Sequence, residues 1–391
     1  MRGILVISII AFCAGAWAEE CRVLATQGAS WTFLGGGCQD GLAHGRGKAS
    51  NAQGDTYEGE FVKGVISGRG TYTWKDGSRY NGDFVEVRFE GEGTFERKDG
   101  SRYQGEWRNN QRNGRGRHTG ADGRVYEGEW KDDLMHGRGV LTWKDGRRYE
   151  GDFVKGKMEG RGTYTLPDGR RYEGGFRDDQ REGQGVLTWP DGRRYQGAFA
   201  HGKPDGEGEM SWPSGARYQG SFRAGKRTGR GSMTWKDGRS YQGEVEDGKA
   251  SGQGTMSWPD GKRFTGHWKA DKKHGLGVFT WPDGSRCDGT WQNDVRDGAG
   301  TMVWPDGWKY EGQWKSDRRN GQGTLSSSAK GERYTGEWKD DKKHGQGRWC
   351  LADGSCYEGR FENDQPNGKG VFIQPDGKKV PGVWKDGRQV R

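Results

Sequence analysis

Aromatic and polar residues alternate along short stretches of this chain, and turn-forming residues separate the stretches. In the stretch 148–169, RYEGDFVKGKMEGRGTYTLPDG, Tyr149 and Phe153 alternate with charged residues, and Tyr164 further on alternates with threonines. Successive side chains of a β-strand point to opposite faces, so this pattern predicts two strands with an aromatic face and a charged face. The sequence Pro-Asp-Gly at 167–169 is typical of a type I turn closed by a left-handed glycine. The segment is therefore predicted to be a β-hairpin with a three-residue loop at this turn.

The hairpin pattern recurs with a period of 23 residues, counted from the residue that opens each copy. The opening residues are Tyr57, Tyr80, Tyr103, Tyr126, Tyr149, Tyr172, Tyr195, Tyr218, Tyr241, Phe264, Cys287, Tyr310 and, after one inserted residue, Tyr334, Tyr357 and Val380. Leu34 opens a degenerate first copy. We therefore predict that residues 34–391 form an array of about fifteen repeats and a terminal half repeat, preceded by an N-terminal cap at 19–33.

Glycine recurs on both strands of each copy, for example at Gly151 and Gly162 in the copy that opens with Tyr149. A ring can lie over a backbone that carries no side chain, so we interpret these glycines as the floor on which the aromatic rings pack. One hairpin alone cannot offset the entropy of ordering its backbone, which costs roughly 1 to 2 kcal/mol per residue. Neighbouring hairpins must therefore stack. The predicted fold is all-β: an elongated, single-layer antiparallel sheet of tandem 23-residue β-hairpin repeats.

The composition adds that the apolar content is aromatic rather than aliphatic. The chain of 391 residues is 29% hydrophobic and 12% aromatic, with 75 glycines. Disordered chains are poor in aromatic residues, so these values favour a folded but unusual architecture.

The first 18 residues have the layout of a secretory signal peptide. Arg2 precedes an apolar run from Ile4, and small residues precede Glu19. An uncleaved membrane anchor is the competing interpretation, but the run is shorter than the ~20 residues that span a bilayer. We expect residues 1–18 to be removed and the protein to be exported, to the periplasm, the cell envelope or the extracellular space.

The net charge of +9 is spread along the chain rather than clustered. A basic residue precedes most opening aromatics and an acidic residue often follows on the same face, as Arg148 and Glu150 do. Such a row largely neutralises itself, whereas nucleic-acid recognition needs basic residues clustered on one face. We therefore expect no nucleic-acid partner.

No residue pattern in the chain matches a catalytic, metal or cofactor site. His44, His136, His274 and His344 occupy one equivalent position in different repeats, where we interpret them as turn residues. Equivalent positions one repeat apart are predicted to lie ~10 Å from each other, too far for two side chains to share a zinc ion. The Gly-x-Gly sequences do not lead into a helix with a Lys-Ser/Thr pair, as a phosphate loop would. We expect no metal, no cofactor and no enzymatic activity.

Two disulfides are predicted. Cys350 and Cys356 flank the three-residue loop in WCLADGSCYEG at equal distance, so they should lie opposite each other across a hairpin. An oxidising compartment would permit the bond, and two unpaired thiols are the alternative. By the same reasoning Cys21 and Cys38 would attach the cap to the first repeat, which leaves Cys287 unpaired.

Several copies are similar to a known repeat family. YEGEFVKGVISGRGTYTWKDG from Tyr57, YEGEWKDDLMHGRGVLTWKDG from Tyr126 and YTGEWKDDKKHGQGR from Tyr334 resemble the membrane occupation and recognition nexus (MORN) repeat. The resemblance implies an extended sheet of β-hairpins without catalytic activity, used as a scaffold, for self-association or to attach partners to membranes. Cys287, Val245 and Val87 depart from the family pattern, which puts individual contacts in doubt but not the array.

Two functions remain open at this point. The first is a non-enzymatic exported scaffold that mediates protein–protein interaction or self-association. The second is a binding module for anionic phospholipid or envelope polysaccharide. A scaffold would recruit its partner through the sheet edges or the aromatic face, and a ligand-binding module would stack sugars on the aromatic rows or meet phosphate with basic residues. The candidate binding face consists of Tyr103, Trp107, Tyr126, Trp130, Tyr149, Phe153, Tyr172, Phe176, Tyr195, Phe199, Tyr218 and Phe222.

Overall fold

The computed structural model describes residues 21–24 and 30–390, and the predicted signal peptide lies outside these residues. The described residues contain β-strands and no helix. The 32 strands are β1 (Trp31–Gln39), β2 (Leu42–Asn51), β3 (Thr56–Val62), β4 (Val65–Thr73), β5 (Arg79–Val85), β6 (Arg88–Glu96), β7 (Arg102–Arg108), β8 (Gln111–Thr119), β9 (Val125–Lys131), β10 (Leu134–Thr142), β11 (Arg148–Val154), β12 (Lys157–Thr165), β13 (Arg171–Arg177), β14 (Gln180–Thr188), β15 (Arg194–Ala200), β16 (Lys203–Ser211), β17 (Arg217–Arg223), β18 (Lys226–Thr234), β19 (Ser240–Glu246), β20 (Lys249–Ser257), β21 (Arg263–Lys269), β22 (Lys272–Thr280), β23 (Arg286–Gln292), β24 (Val295–Val303), β25 (Trp308–Lys315), β26 (Arg318–Ser327), β27 (Glu332–Lys339), β28 (Lys342–Cys350), β29 (Cys356–Glu362), β30 (Gln365–Ile373), β31 (Lys379–Lys385) and β32 (Arg388–Gln389).

The strands belong to two compact units. Unit 1 comprises the described residues up to 169 together with 175–179, and unit 2 comprises 170–174 together with the residues from 180 onward. Within each unit, a strand pairs in antiparallel fashion with the strands directly before and after it, as β3 does with β2 and β4. Strands pack against these sequence neighbours, so each unit is one layer thick. The predicted all-β, single-layer sheet of tandem hairpins is confirmed.

Each hairpin consists of a short strand, a first turn, a long strand and a second turn. In the copy that opens with Tyr57, the first turn is formed by Lys63 and Gly64, whose φ angles are 50° and 80°. Two consecutive residues of positive φ define the type I′ turn, which matches the twist of antiparallel strands. The second turn is the predicted three-residue loop, because Trp74 N–H donates to the Ser78 carbonyl and Gly77 has a φ of 92°.

A bulge in the long strand places the opening tyrosine. Gly59 pairs with Gly70 and Phe61 with Ile66, so Glu60 alone faces three residues of the long strand. The bulge withdraws the Glu60 carbonyl from the ladder, and the Tyr57 hydroxyl donates a hydrogen bond of 3.0 Å to it. The buried Tyr57 hydroxyl therefore has a hydrogen-bond partner, as buried polar groups require.

The core of each unit is a row of rings. Tyr57 lies edge-to-face against Phe61 of its own hairpin at 5.1 Å and against Phe84 of the next hairpin at 5.3 Å. This geometry suits the ring quadrupole, and it recurs in both units. A Cβ on Gly70 would lie 2.2 Å from the Tyr57 hydroxyl oxygen, which shows why the floor is glycine.

In the described residues, no helix has the length and apolar character needed to cross a membrane.

Candidate functional site at the first turns

The twelve aromatic residues of the candidate binding face lie in the core. Each is buried, from Tyr149 at 0% to Trp107 at 7% exposure. Their faces and edges are occupied by neighbouring rings and by glycine backbone. The expectation that these rings form an open binding surface is corrected here, because stacking hairpins covers the ring of one repeat with the second aromatic of the next.

Contacts between successive first turns join the hairpins. In unit 2, Asp317 of one first turn accepts hydrogen bonds from the Arg296 backbone N–H at 2.9 Å and from Arg296 Nε at 3.0 Å. The Asp317 carbonyl accepts from Nη2 of the same arginine at 3.0 Å. The Arg296 guanidinium also stacks over the Trp314 ring at 4.0 Å. Charge-assisted bonds of this kind are stronger than neutral ones, so the first turn is a tightly held part of the array.

Where the first turn has glycine instead of aspartate, the chain avoids an unmet donor in other ways. Gly225 and Gly387 face Pro204 and Pro366 of the preceding hairpin, which have no N–H to satisfy. At the first hairpin the Ala43 N–H donates instead to the carbonyl of Arg22 at 3.0 Å, a residue of the cap.

The two residues that face each other directly across a first turn form what we term the first-turn edge. They are the last residue of a short strand and the first residue of its long strand, such as Val62 and Val65. These side chains are outside the ring core, so packing does not fix their chemistry. Their pattern differs between the two units.

The first-turn edge of unit 1 combines exposed apolar residues with charged ones, since Val85 faces Arg88, Leu134 faces Lys131 and Val154 faces Lys157. Val62, Val85, Leu134 and Val154 are 48%, 48%, 46% and 45% exposed. Leu24 of the cap, 44% exposed, is bonded to the same edge through its N–H, which donates to the Gly64 carbonyl at 2.8 Å. The three valines end short strands and Leu134 begins a long one, so both edge positions contribute exposed apolar side chains. Apolar side chains that cluster on a surface mark an interaction site more often than scattered ones do.

The first-turn edge of unit 2 is mainly cationic, with Glu246 and Glu362 as acidic members. Like charges face each other across five of its first turns, at Arg223 and Lys226, Lys269 and Lys272, Lys315 and Arg318, Lys339 and Lys342, and Lys385 and Arg388. The described residues of unit 2 hold 37 basic and 29 acidic residues, against 25 and 24 in unit 1. The positive charge of the protein is therefore carried by unit 2.

The charged face carries shallow, open grooves above the paired glycines. One groove in unit 2, of about 550 Å³, is lined by Gln219, Gln242, Gln253 and Arg230 among others. Elsewhere on this face, basic residues pair with acidic ones as the sequence suggested, for example Arg148 with Glu150 at 2.7 Å. These open sites keep their charged groups in contact with water.

The four histidines of the repeated position lie near the start of the long strands β2, β10, β22 and β28. His44 Nδ1 accepts from the Lys63 backbone N–H of the next first turn at 3.5 Å, so His44 connects neighbouring hairpins, whereas Nδ1 of His274 at the equivalent position is buried without a hydrogen-bond partner in the described residues. No group of three or more His, Cys, Asp or Glu suited to a metal ion occurs among the residues that the structure describes.

The cysteines are placed as pairs and one single residue. Cys350 and Cys356 are opposite residues of β28 and β29, with Cα atoms 4.0 Å apart, and their sulfur atoms are bonded. Cys21 and Cys38 are likewise bonded, with Cα atoms 5.9 Å apart. Cys287 is buried outside any disulfide, and burial raises the pKa of its thiol. Oxidation of both pairs in the protein from its native host stays a prediction, which non-reducing peptide mapping tests.

The family is decided by the recurrence of this hairpin. The model of the MORN repeat matches fourteen consecutive segments, at 57–79, 80–102, 103–123, 126–147, 149–170, 172–193, 195–217, 218–238, 241–263, 264–286, 287–309, 310–329, 334–356 and 357–379. The chain is a MORN repeat protein. MORN repeats are generally non-catalytic interaction scaffolds, and the hairpin that opens with Leu34 lies outside the matched segments of this MORN protein.

Other comparisons add little to this assignment. No curated protein matches the MORN protein in sequence. Among solved structures, the wild-type TCP10 domain of Danio rerio CPAP, in complex with a peptide of Danio rerio STIL, is 15% identical with a TM-score of 0.23, over 61% of this chain and 90% of that one. A catalytically inactive H270A virginiamycin B lyase from Staphylococcus aureus, with quinupristin, is 12% identical with a TM-score of 0.13, over 71% and 98%. These scores are too low to indicate a shared fold.

Sequence reasoning missed the first-turn edge as a candidate site. Its signal was present, because the edge positions recur with the repeat, and opposed pairs of basic residues occur there from Arg223 and Lys226 onward. The ring positions attracted attention because they are aromatic, although aromatic residues at a fixed period are the expected core of such a sheet.

Proposed function

We propose that this MORN protein is a non-enzymatic exported scaffold that mediates protein–protein interaction or self-association, and that the first-turn edge of unit 1 is its docking surface. The observation that supports this proposal is the exposure of Val62, Val85, Leu134 and Val154, each close to half, on the first-turn edge. Unit 1 is nearly neutral overall, so apolar contact rather than charge would provide most of the affinity.

The apolar edge suits a protein partner for a further reason. Two of its residues lie against neighbouring first turns, because the sites for a Cβ on Gly64 and Gly156 are close to Leu24 and Leu134 respectively. Apolar surface therefore extends from Leu24 of the cap to the first turn at Gly64, and from Leu134 to the first turn at Gly156. A partner that lies along the edge could bury several of these residues together.

The experiment compares the full-length protein with a variant that carries Val62→Thr, Val85→Thr, Leu134→Thr and Val154→Thr. Threonine keeps the strand propensity and removes apolar surface, so the fold is expected to be retained. We expect the wild type to capture a defined protein from an envelope extract or to self-associate in sedimentation, and the variant to lose this by about tenfold or more, since each exposed valine or leucine contributes on the order of 1 kcal/mol.

The matched control changes four threonines of the charged face, Thr71→Ser, Thr94→Ser, Thr163→Ser and Thr165→Ser, in the same unit. Equal capture and equal sedimentation for wild type and edge variant would reject the apolar edge as the docking surface. The two readouts also separate a foreign partner from a second copy of the chain.

A second function, binding to anionic phospholipid or envelope polysaccharide, is favoured by the charge of unit 2. Its surplus of 37 basic over 29 acidic residues would attract an anionic surface or polymer. Sedimentation with acidic liposomes over a range of salt concentrations tests the lipid form, because exposed charges are screened within about 8 Å at physiological ionic strength. Absence of binding at low salt would remove it.

A further inference from the structure

The geometry of the first turns in unit 2 points to one class of ligand. We propose that the first-turn edge of unit 2 binds a linear acidic polysaccharide, a chain that carries carboxylate or sulfate groups at regular intervals. This inference does not depend on the apolar edge of unit 1, so each can fail without the other.

Residues of like charge oppose each other at first turns of unit 2. Lys269 and Lys272 face each other directly across a two-residue turn, as do Lys339 and Lys342. Like charges directly opposite on one face of an antiparallel pair destabilise it. All four side chains are exposed, and no acidic group of the described residues forms an ion pair with them. An anion between the two ammonium groups would remove the repulsion.

Two acidic residues of the same turns bind arginines of the preceding hairpin instead of the edge cations. Asp317, next to Lys315, is bound to Arg296. Asp341, next to Lys342, is bound to Arg319, with its carboxylate 3.1 Å from Nε. These two carboxylates bridge the hairpins, whereas Asp247 and Asp340 pair with the edge residues Lys226 and Arg318. The positive charge of the edge that lacks an acidic partner among the described residues is therefore at the opposed lysines, Lys269 with Lys272 and Lys339 with Lys342.

The opposed pairs of basic residues lie along the edge, at the first turns of successive hairpins. First turns of neighbouring hairpins are two strands apart, or ~10 Å. The pairs at Arg223, Lys269 and Lys315 recur at alternate hairpins, and the turn between the first two has Lys249 opposite Glu246. A row of cations along one edge of a single-layer unit suits a linear polyanion better than a flat anionic surface, which needs charges spread over a face.

The surroundings of the row favour a polysaccharide over a membrane or a nucleic acid. Membrane association usually adds apolar side chains that enter the lipid, whereas Ala200 and Val295 are the apolar members of this edge in the described part of unit 2. Single-stranded nucleic acid needs aromatic rings on which bases stack. The half-buried tryptophans of unit 2, such as Trp212 and Trp258, precede the second turns, at the opposite end of the hairpin.

The test uses the full-length protein and a variant with five neutralised cations: Lys269→Gln, Lys272→Gln, Lys315→Gln, Lys339→Gln and Lys342→Gln. The control variant loses the same charge at second turns: Lys75→Gln, Lys98→Gln, Lys144→Gln, Lys236→Gln and Lys378→Gln. All ten lysines are exposed. Binding is measured by calorimetry to polygalacturonate and to dextran sulfate, with neutral dextran as the blank.

We expect the wild type to bind both acidic polymers and to lose affinity as salt is added. The edge variant should bind at least about tenfold more weakly, and its plot of log K against log salt should be shallower by roughly 3 to 4, at about 0.7 per lost contact. The control variant should keep most of the affinity, because its lysines are at the other turn. The two-residue variant Lys269→Gln/Lys272→Gln should change the salt slope by about 1.4 on the same rule.

Folding is checked independently, because thermal unfolding at low salt should show the edge variant to be as stable as the wild type or more so, since repulsion has been removed. No binding of the wild type at low salt would overturn the proposal, and so would an equal loss of affinity in the edge and control variants. Tighter binding to phosphatidylglycerol vesicles or to single-stranded DNA than to either polymer would overturn the polysaccharide as the ligand. If the five-residue variant does not fold, an unchanged salt slope in the two-residue variant overturns the proposal as well.

Discussion

At the first turn after Phe61 in unit 1, Val62 and Val65 face each other, whereas Lys269 and Lys272 face each other at the corresponding turn of unit 2. The rings behind these turns are packed in the same way, with Tyr57 against Phe61 at 5.1 Å and Phe264 against Trp268 at 5.2 Å. Packing of the rings therefore determines the geometry of the hairpin, and the residues at the first-turn edge can vary without changing it. One scaffold can therefore present an apolar surface in one region and a cationic surface in another.

The largest expected effect separates the units by their tyrosines. Burial raises the pKa of Tyr195 and Tyr310 to about 12, and it also raises the pKa of Tyr57 and the other core tyrosines of unit 1. The neutral phenol is thus favoured by the fold, so its contribution to stability is complete below the ordinary value of 10.0 and is lost as the pH rises through about 12.

Unit 1 has five consecutive opening tyrosines, but unit 2 has Phe264 and Cys287 in successive copies. We expect cooperative unfolding near pH 12, with hydrogen-exchange protection lost in β3–β12 before β21–β24. Phenolate absorbance and mass-spectrometric exchange follow the two events. Ordinary phenol titration near pH 10 with intact protection would contradict the assignment of the tyrosines to the core.

The second prediction compares the glycine beneath the Tyr57 ring, Gly70, with the equivalent glycine of the Cys287 copy, Gly300. In unit 1 a Cβ on Gly70 would lie 2.2 Å from the Tyr57 hydroxyl oxygen, whereas in unit 2 the nearest atoms to a Cβ on Gly300 are 3.2 Å away. We expect Gly70→Ala to lower the free energy of unfolding by about 3 kcal/mol or more, and Gly300→Ala to stay within about 1 kcal/mol of wild type. Local hydrogen exchange is the suitable measure, because repeat arrays do not unfold in one step. Similar losses in both variants would show that the Cys287 copy is as tightly packed as the others.

The third effect concerns the aspartates that join first turns in unit 2. They are Asp271, Asp294, Asp317, Asp341 and Asp364. We expect Asp317→Ala to cost about 1 to 3 kcal/mol, because it removes charge-assisted hydrogen bonds to Arg296. Exchange protection in β23–β26 measures it. The control Asp247→Ala breaks only an exposed pair with Lys226, at 2.9 Å, and should cost about 0.5 kcal/mol or less.

The smallest expected effect is a gain in unit 1. Val87 occupies the first turn with a φ of 69°, a conformation that strains a β-branched residue. Val87→Asn should stabilise unit 1 by about 1 kcal/mol, because asparagine tolerates the left-handed region and a side-chain oxygen there accepts from the preceding hairpin, as Asn110 does for Phe89 at 2.7 Å. Val62→Asn is the control in an extended strand, where no gain is expected. A thermal melt that shows no difference between the two variants would contradict the strain.

The fold could be predicted from sequence because its determinants are local and repeated. The alternation of aromatic and polar residues predicted the strands, and Pro-Asp-Gly predicted the second turn. The same register predicted that Cys350 lies opposite Cys356. The type I′ first turn could not be recognised as such, because Asp132 and Asp133 take φ angles of 49° and 67° without any glycine. These angles are stabilised by contacts with the preceding hairpin, which no single repeat contains.

The candidate site was harder to predict for a related reason. Whether Tyr149 and Phe153 are exposed depends on the next hairpin, since Phe176 covers Tyr149 at 4.9 Å. The sequence identifies an aromatic face but not which neighbour covers it. The edge positions become visible only after the turn is known, because the turn decides that Val62 faces Val65 and that both lie outside the core.

The inserted residue after Tyr310 shows how the array tolerates a change of length. Ser327 pairs with Glu332, so four residues rather than three form this second turn. The next ring is undisturbed, since Tyr334 is 2% exposed and meets Trp338 at 5.1 Å. A foreign loop grafted between Ala329 and Lys330 should therefore be displayed without a shift in the hairpins on either side. That position offers a place for an epitope or a fluorescent reporter, with which the protein could be followed while both first-turn edges stay free.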